Sequence, residues 1–219
     1  MIKEYKTVLG FGTAEFEEKK SKFIATVKPV CNEDEALEFI NGLKSKYWDA
    51  THNVYSYYIA GETLVQRFSD DGEPSGTAGM PVLEVIRRRG VQDLAVVVTR
   101  YFGGTLLGAS GLIRAYSKAA ALGIEAAGVI RRKLCTEISV LVEYSLFGKV
   151  QNMLISEGYT IKEIIYEQDV EIRLYVPVDG VDECIRKIVE ETNDRALIDK
   201  GDNVFITLGE DGRLISDGA

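Results

Sequence analysis

The segment Thr136-Glu137-Ile138-Ser139-Val140-Leu141-Val142 alternates polar and apolar side chains, which predicts a strand with one buried face. The residues after it place that strand in a larger unit. Helical spacing runs from Leu146 to Leu154 and stops at Gly158. Residues 159–166 and 170–176 are β-rich runs joined by Glu167-Gln168-Asp169, a hairpin-length connection. Val181, Cys184, Ile185, Ile188 and Val189 then share one helical face, ended by Thr192-Asn193-Asp194, and residues 196–208 supply one or two final strands. The order βαββαβ is the ferredoxin-like unit, in which two helices cover one face of an antiparallel sheet.

Upstream, residues 5–16 and 23–30 read as strands. A helix begins after Asn32, where Glu35 stands three residues on, as in a capping box. Residues 52–60 and 64–68 pair around Gly61-Glu62-Thr63. Residues 77–89 read as a helix, with Pro81 tolerable only in its first turn. Residues 94–99 form the most apolar strand, and 110–127 an Ala-rich helix buried on one side. Strands with helices packed to one face indicate a second α+β domain. The expected organisation is two α+β domains, 1–130 and 131–208, with a polar, glycine-rich tail at 209–219 that should be loosely ordered.

Two ordinary domains suit 219 residues with 46% hydrophobic content. Cys31, Cys135 and Cys184 show no C-x-x-C spacing, so neither a disulfide framework nor a zinc site is suggested. Met1-Ile2-Lys3-Glu4-Tyr5-Lys6 leads into no apolar leader, and no apolar run approaches the roughly 20 residues of a membrane span. A cytoplasmic protein without a membrane partner is expected. The net charge of −8 is uneven: residues 1–134 hold 18 Lys+Arg and 16 Asp+Glu, residues 135–219 hold 8 and 18. A polyanion should therefore dock on the first part. The basic runs Arg87-Arg88-Arg89 and Arg131-Arg132-Lys133 read first as helix-end or linker charge.

Chemistry concentrates in two blocks. One is Ser69-Asp70-Asp71-Gly72-Glu73-Pro74-Ser75-Gly76-Thr77-Ala78-Gly79; the other is Thr99-Arg100-Tyr101-Phe102-Gly103-Gly104 with Leu107-Gly108-Ala109-Ser110-Gly111-Leu112-Ile113-Arg114-Ala115-Tyr116. Asp70, Asp71 and Glu73 could ligate a hard cation or serve as acid and base, but they lack calcium-loop spacing, and Asp-Gly and Glu-Pro are turn formers. A recognition loop is the preferred reading, with no metal and no cofactor. Gly103, Gly104, Gly108 and Gly111 precede a helix whose first amides suit a small anion, yet they match no nucleotide fingerprint. Arg100 and Arg114 either add guanidiniums to that site or pair with the acids as a network joining the loops. His52 is the only histidine, and Ser110 lies outside G-x-S-x-G, so no triad can be assembled. Tyr55-Ser56-Tyr57-Tyr58 and Tyr101-Phe102 offer faces on which bases could stack, or core aromatics.

These blocks, with Lys22-Phe23-Ile24-Ala25 and Thr51-His52-Asn53, resemble the signature of the YigZ/IMPACT family, strongly over about the first 130 residues. Members usually carry two adjacent glycines where this chain has Ser110-Gly111. The resemblance implies a first domain like that of a small-subunit ribosomal protein and domain IV of elongation factor G. It implies a second domain like that factor's domain V. It also implies a regulator or accessory of translation: in eukaryotic relatives the domain competes for a protein that activates a translation-initiation-factor kinase. The expected site is Asp70, Asp71, Glu73, Gly76, Thr77, Arg100, Gly103, Gly104, Gly108, Ser110, Gly111 and Arg114, with His52, Asn53 and Tyr101 as secondary members. The expected partner is RNA, the ribosome or a translation-associated protein. An enzyme or small-anion binder using the glycine loop, and a pure protein-interaction module, are the alternatives.

Overall fold

The computed structural model describes residues 3–61 and 63–215. Contacts divide the chain into two units, 5–130, and 131–219 together with 1–4. The chain therefore crosses between units twice. The single strand expected over 5–16 is two, β1 (Glu4–Val8) and β2 (Gly12–Glu18). Gly12 explains the break: a Cβ there would stand 2.2 Å from the Ala127 nitrogen. The Leu9 amide also donates to the Gly128 carbonyl at 2.7 Å.

The first unit continues through β3 (Ser21–Pro29), α1 (Glu33–Lys46), β4 (His52–Ala60), β5 (Leu64–Ser69), α2 (Gly79–Arg89), β6 (Leu94–Tyr101) and α3 (Ala109–Ala126). Its sheet has the order β2-β3-β6-β4-β5 and is antiparallel throughout. Along β6, Leu94, Val96 and Val98 join Phe23, Val54, Ile86 and Tyr116 beneath α2 and α3, while Ala95 and Val97 join Ile40 and Tyr57 beneath α1. A strand covered on both faces needs apolar residues at every position, which accounts for the uninterrupted run. Helices were expected on one face only. The outward set Tyr57, Ile59, Ala95 and Val97 is equally apolar and required a cover, which α1 provides.

Two helix starts show how local sequence acts. Asn32 caps α1, its side chain accepting from the Glu35 amide at 2.8 Å. Glu35 returns the bond to the Cys31 amide at 2.9 Å, one residue before the position a standard box uses. α2 begins at Gly79 rather than 77, so Pro81 falls in the first turn, where its missing N–H costs nothing.

The second unit comprises β7 (Val129–Val142), α4 (Tyr144–Ser156), β8 (Thr160–Tyr166), β9 (Val170–Pro177), α5 (Val181–Thr192) and β10 (Leu197–Leu208). Strand order β10-β7-β9-β8, all antiparallel, is the ferredoxin-like arrangement. Ile138, Val140, Ile172 and Leu174 pack beneath Val150, Leu154, Cys184 and Ile188 of the helices. β10 is one strand, irregular between Lys200 and Asn203. Residues 209–215 are not loose: Gly209 donates to Arg213, Ile215 donates to Thr207, and Leu214 packs against the cluster of Cys135, Ile206 and Leu208. The rest of the expected tail, 216–219, lies outside the described residues.

All three cysteines are free, and burial pushes the Cys184 thiol up to about 11. No described helix is long and apolar enough to cross a membrane. The unit boundary also revises the charge argument, because Arg131, Arg132 and Lys133 fall in the second unit. Residues 5–130 hold 14 Lys+Arg against 15 Asp+Glu, a net of −1 in place of a positive surplus.

Candidate functional site

The sheet register brings both signature blocks to one end of the first unit. Arg100 on β6 lies opposite His52 on β4 and Phe23 on β3, and Tyr55 lies opposite Ser69, the last residue of β5. The blocks meet through Glu73. Its Oε1 accepts from Arg100 Nη1 at 2.5 Å and from Tyr116 Oη at 2.8 Å, with His52 Nε2 3.8 Å away. Arg100 and Glu73 side chains are only 5% and 4% exposed. A buried carboxylate held by a guanidinium and a phenol is a structural lock, since removing either partner strands the charge. Burial, then the neighbouring carboxylate, holds the Tyr116 phenol far above the ordinary tyrosine range, so it stays protonated and donates.

Arg100 is fixed on its other sides. Nη2 donates to Ser21 Oγ at 3.2 Å, and the guanidinium carbon lies 5.4 and 5.5 Å from the ring centroids of Phe23 and Phe102. Its Nε is buried without a partner. His52 Nδ1 lies 2.8 Å from the Asp71 carbonyl, which can only accept, so the proton sits on Nδ1 and Nε2 faces Glu73.

The other two acids do not reach the arginines. Asp70 Oδ1 accepts from the amides of Ala78 and Gly79 at 3.1 and 2.8 Å, and Oδ2 from Gly76 at 2.8 Å. It caps α2 from eight residues upstream of Ala78, a cap residue with no side-chain acceptor. Asp71, at φ +45°, binds Lys44 through Oδ1 at 2.8 Å and the Asn53 amide through Oδ2 at 2.6 Å. Asn53 in turn accepts from Thr99 and donates to the Tyr47 carbonyl. Thr77 closes a turn on the Pro74 carbonyl, its hydroxyl at 2.6 Å. Gly76 supplies φ +76°. Among the described residues, no three of His, Cys, Asp or Glu could share a metal ion.

The glycine loop is built differently. A Cβ on Gly103 would lie 2.0 Å from the carbonyl carbon and oxygen of Lys20, so the loop backbone rests directly on the 19–20 turn. The Gly103 amide shares Ser21 Oγ with Arg100. Gly104 and Gly108 take φ +81° and +74°, and Gly108 starts α3 without a side-chain cap or a first-turn acid. Gly111 accommodates Leu107, whose Cβ would be 3.0 Å from an added Cβ. Ser110 is exposed, its carbonyl accepting from Arg114 Nε at 3.3 Å. Arg114 does not join the acids: it is exposed and lines a groove with Phe16, Glu18, Leu107 and Lys118. Two residues on a helix differ by about 200°, so Arg114 turns away when Tyr116 turns in. Tyr101 Oη donates to Asp49 at 2.9 Å, joining β6 to the 47–51 connection.

Ser21, Lys44 and Tyr116 complete this constellation and were not among the expected site residues. Tyr116 was legible: it falls on the inward row Leu112, Ala115, Tyr116, Ala119, and a buried phenol needs an acceptor.

Known proteins share this architecture. The Impact N-terminal domain model matches residues 19–124, and a domain of unknown function, DUF1949, matches 140–195. The IMPACT family member YvyE of Bacillus subtilis is 41% identical over 206 residues, covering 94% of this chain and 95% of its own. The IMPACT family member YigZ of Escherichia coli is 31% identical, covering 80% and 86%. A solved structure described as a hypothetical protein covers 90% of this chain and 97% of its own at 27% identity, with a TM-score of 0.58.

Proposed function

Because the chain belongs to the IMPACT family, we propose that it is a cytoplasmic regulator or accessory of translation that acts by binding. Its first unit engages a ribosomal, RNA or protein surface through the sheet end built by residues 69–79 and 100–114. The translational role comes from the family resemblance. The binding mode is supported by one observation above the others: the carboxylates of Asp70, Asp71 and Glu73 are each engaged inside the fold. Groups so engaged shape a rigid surface and do not present a reactive pair. The test is quantitative recovery of partners by the tagged full chain from its own cell lysate, with and without nuclease. Ribosomal particles or translation factors are expected among the recovered material, and nuclease distinguishes RNA bridging from direct protein contact. Recovery of neither overturns the reading.

A second reading, a small-anion site at the glycine loop, has its own observation: α3 starts uncapped, with Ala109 and Ser110 exposed. Saturable elevation of Tm by inorganic phosphate, lost in Gly108→Val, would favour it.

A further inference from the structure

The acids of the 69–79 loop are committed internally, so the unspent charge and apolar surface of that sheet end lie on the connections beside it. Three connections leave it together. Tyr101 Oη holds Asp49, the Phe102 amide donates to Thr51 Oγ1 at 3.0 Å, and Gly103 rests on the Lys20 backbone. Three large apolar side chains stand in water on these connections: Trp48 is 81% exposed, Leu106 82% and Phe102 45%. Large apolar side chains left exposed on neighbouring connections and accompanied by charge mark interaction surfaces.

The uncommitted charge beside them is positive. Lys19 and Lys20 are exposed and make no ion pair among the described residues, and the unscreened start of α3 adds a positive dipole end. The carboxylates at this end, Glu18 and Asp49, are outnumbered by these two lysines and Arg114, and Asp49 already accepts from Tyr101 Oη. Lys19 and Lys20 also hold φ +48° and +66°, conformations that cost non-glycine residues free energy and fix how the turn presents its side chains.

We propose that this end of the first unit is a docking surface for an acidic protein segment bearing bulky apolar side chains, which lie against Trp48, Phe102 and Leu106 while its carboxylates meet Lys19 and Lys20. The inference rests on the binding role proposed above and names the chemistry of the partner. A protein segment fits better than RNA because the surface is built mainly from large apolar side chains with few cations beside them. Leu106, the most exposed of the three, offers a base neither a stacking face nor a hydrogen bond.

Trp48 is the only tryptophan of the chain, so its emission reports on this surface directly. A displayed library of short random peptides is panned on the full protein, with counter-selection on Leu106→Asp. The enriched peptides should be acidic and contain large apolar residues. Once synthesised, one of them should shift Trp48 emission to the blue saturably. Its Kd should rise about tenfold or more in Leu106→Asp and in the double variant Lys19→Glu, Lys20→Glu, both keeping the parent Tm. No enrichment, enrichment of basic peptides, or undiminished binding by folded Leu106→Asp overturns the proposal. A short oligouridine that shifts Trp48 more tightly than any peptide also overturns it, and leaves the translational reading standing. Peptide docking without recovery of any translation component does the reverse.

Discussion

The 70–78 and 102–108 loops lie at the same end of one sheet, where a single ion pair, Glu73 to Arg100, ties the first loop to the strand that leads into the second, yet they are made of opposite materials. The first carries three acids and turns all of them inward: Asp70 onto helix amides, Asp71 onto Lys44 and Asn53, Glu73 onto Arg100 and Tyr116. The second carries no acid and is shaped by glycines, one of them pressed onto the neighbouring turn. Charge in a loop is thus no guide to what the loop offers a partner. A carboxylate that fulfils a backbone requirement is architecture, and the loop with the plainer composition is the one that leaves apolar side chains and a helix start in water.

The largest expected effect lies in the first loop. Glu73→Ala leaves the buried Arg100 unpaired and should cost about 3–5 kcal/mol, read as a lower denaturation midpoint at unchanged m-value. Gly103→Ala attacks the second loop where backbone meets backbone, so no rotamer relieves the clash; about 3 kcal/mol is expected by thermal unfolding. If Gly103→Ala proves harmless while Glu73→Ala does not, the glycine loop is freer than its packing on Lys20 indicates.

Tyr116→Phe removes one of Glu73's donors and should cost about 1–3 kcal/mol at neutral pH. It carries a pH signature too. The folded chain keeps a phenol proton that the unfolded chain releases above about pH 10, so stability declines as pH rises past that value. Tyr57, raised by burial and by Glu33, acts with the same sign. The variant should therefore flatten the alkaline decline without abolishing it, as followed by urea denaturation at several pH values. Asp70→Ala uncaps α2 and should cost about 1–2 kcal/mol, with faster amide exchange confined to the start of that helix. Thr105→Ala, exposed in the second loop, should stay within about 0.5 kcal/mol by thermal unfolding.

Much of the architecture is legible because it is periodic. The period of two from Thr136 to Val142, the unbroken apolar stretch of β6 and the spacing of Val181, Cys184 and Ile188 each reflect a side chain's need to face one way. Side of packing was misread for α1, since the run Tyr55 to Ile59 supplies inward residues to both faces and only the sheet order says which helix covers which. Within the site, the block positions were legible and the pairings were not. Glu73 finds Arg100 27 residues on and Tyr116 43 residues on, and Asp70 caps a helix across an intervening turn. Such choices are made by tertiary register, which local spacing does not encode. That Arg114 would not pair with the acids was legible, because the row containing Leu112, Ala115 and Tyr116 already turned it outward.

The second unit is written at both ends of the chain, and this sets a timetable for its birth. Lys3 bonds the Leu134 amide through its carbonyl, and Glu4 pairs with Arg131 and Lys133, all within that unit. These two residues are synthesised before the whole of the first unit, and their partners only after it. At typical synthesis rates of about 5–20 residues per second the delay is on the order of 10 s. The first unit can finish folding inside that interval, whereas the second closes on a segment that has had to stay free throughout it. A substitution at Glu4 would therefore burden the second unit, although it precedes the whole of the first in sequence.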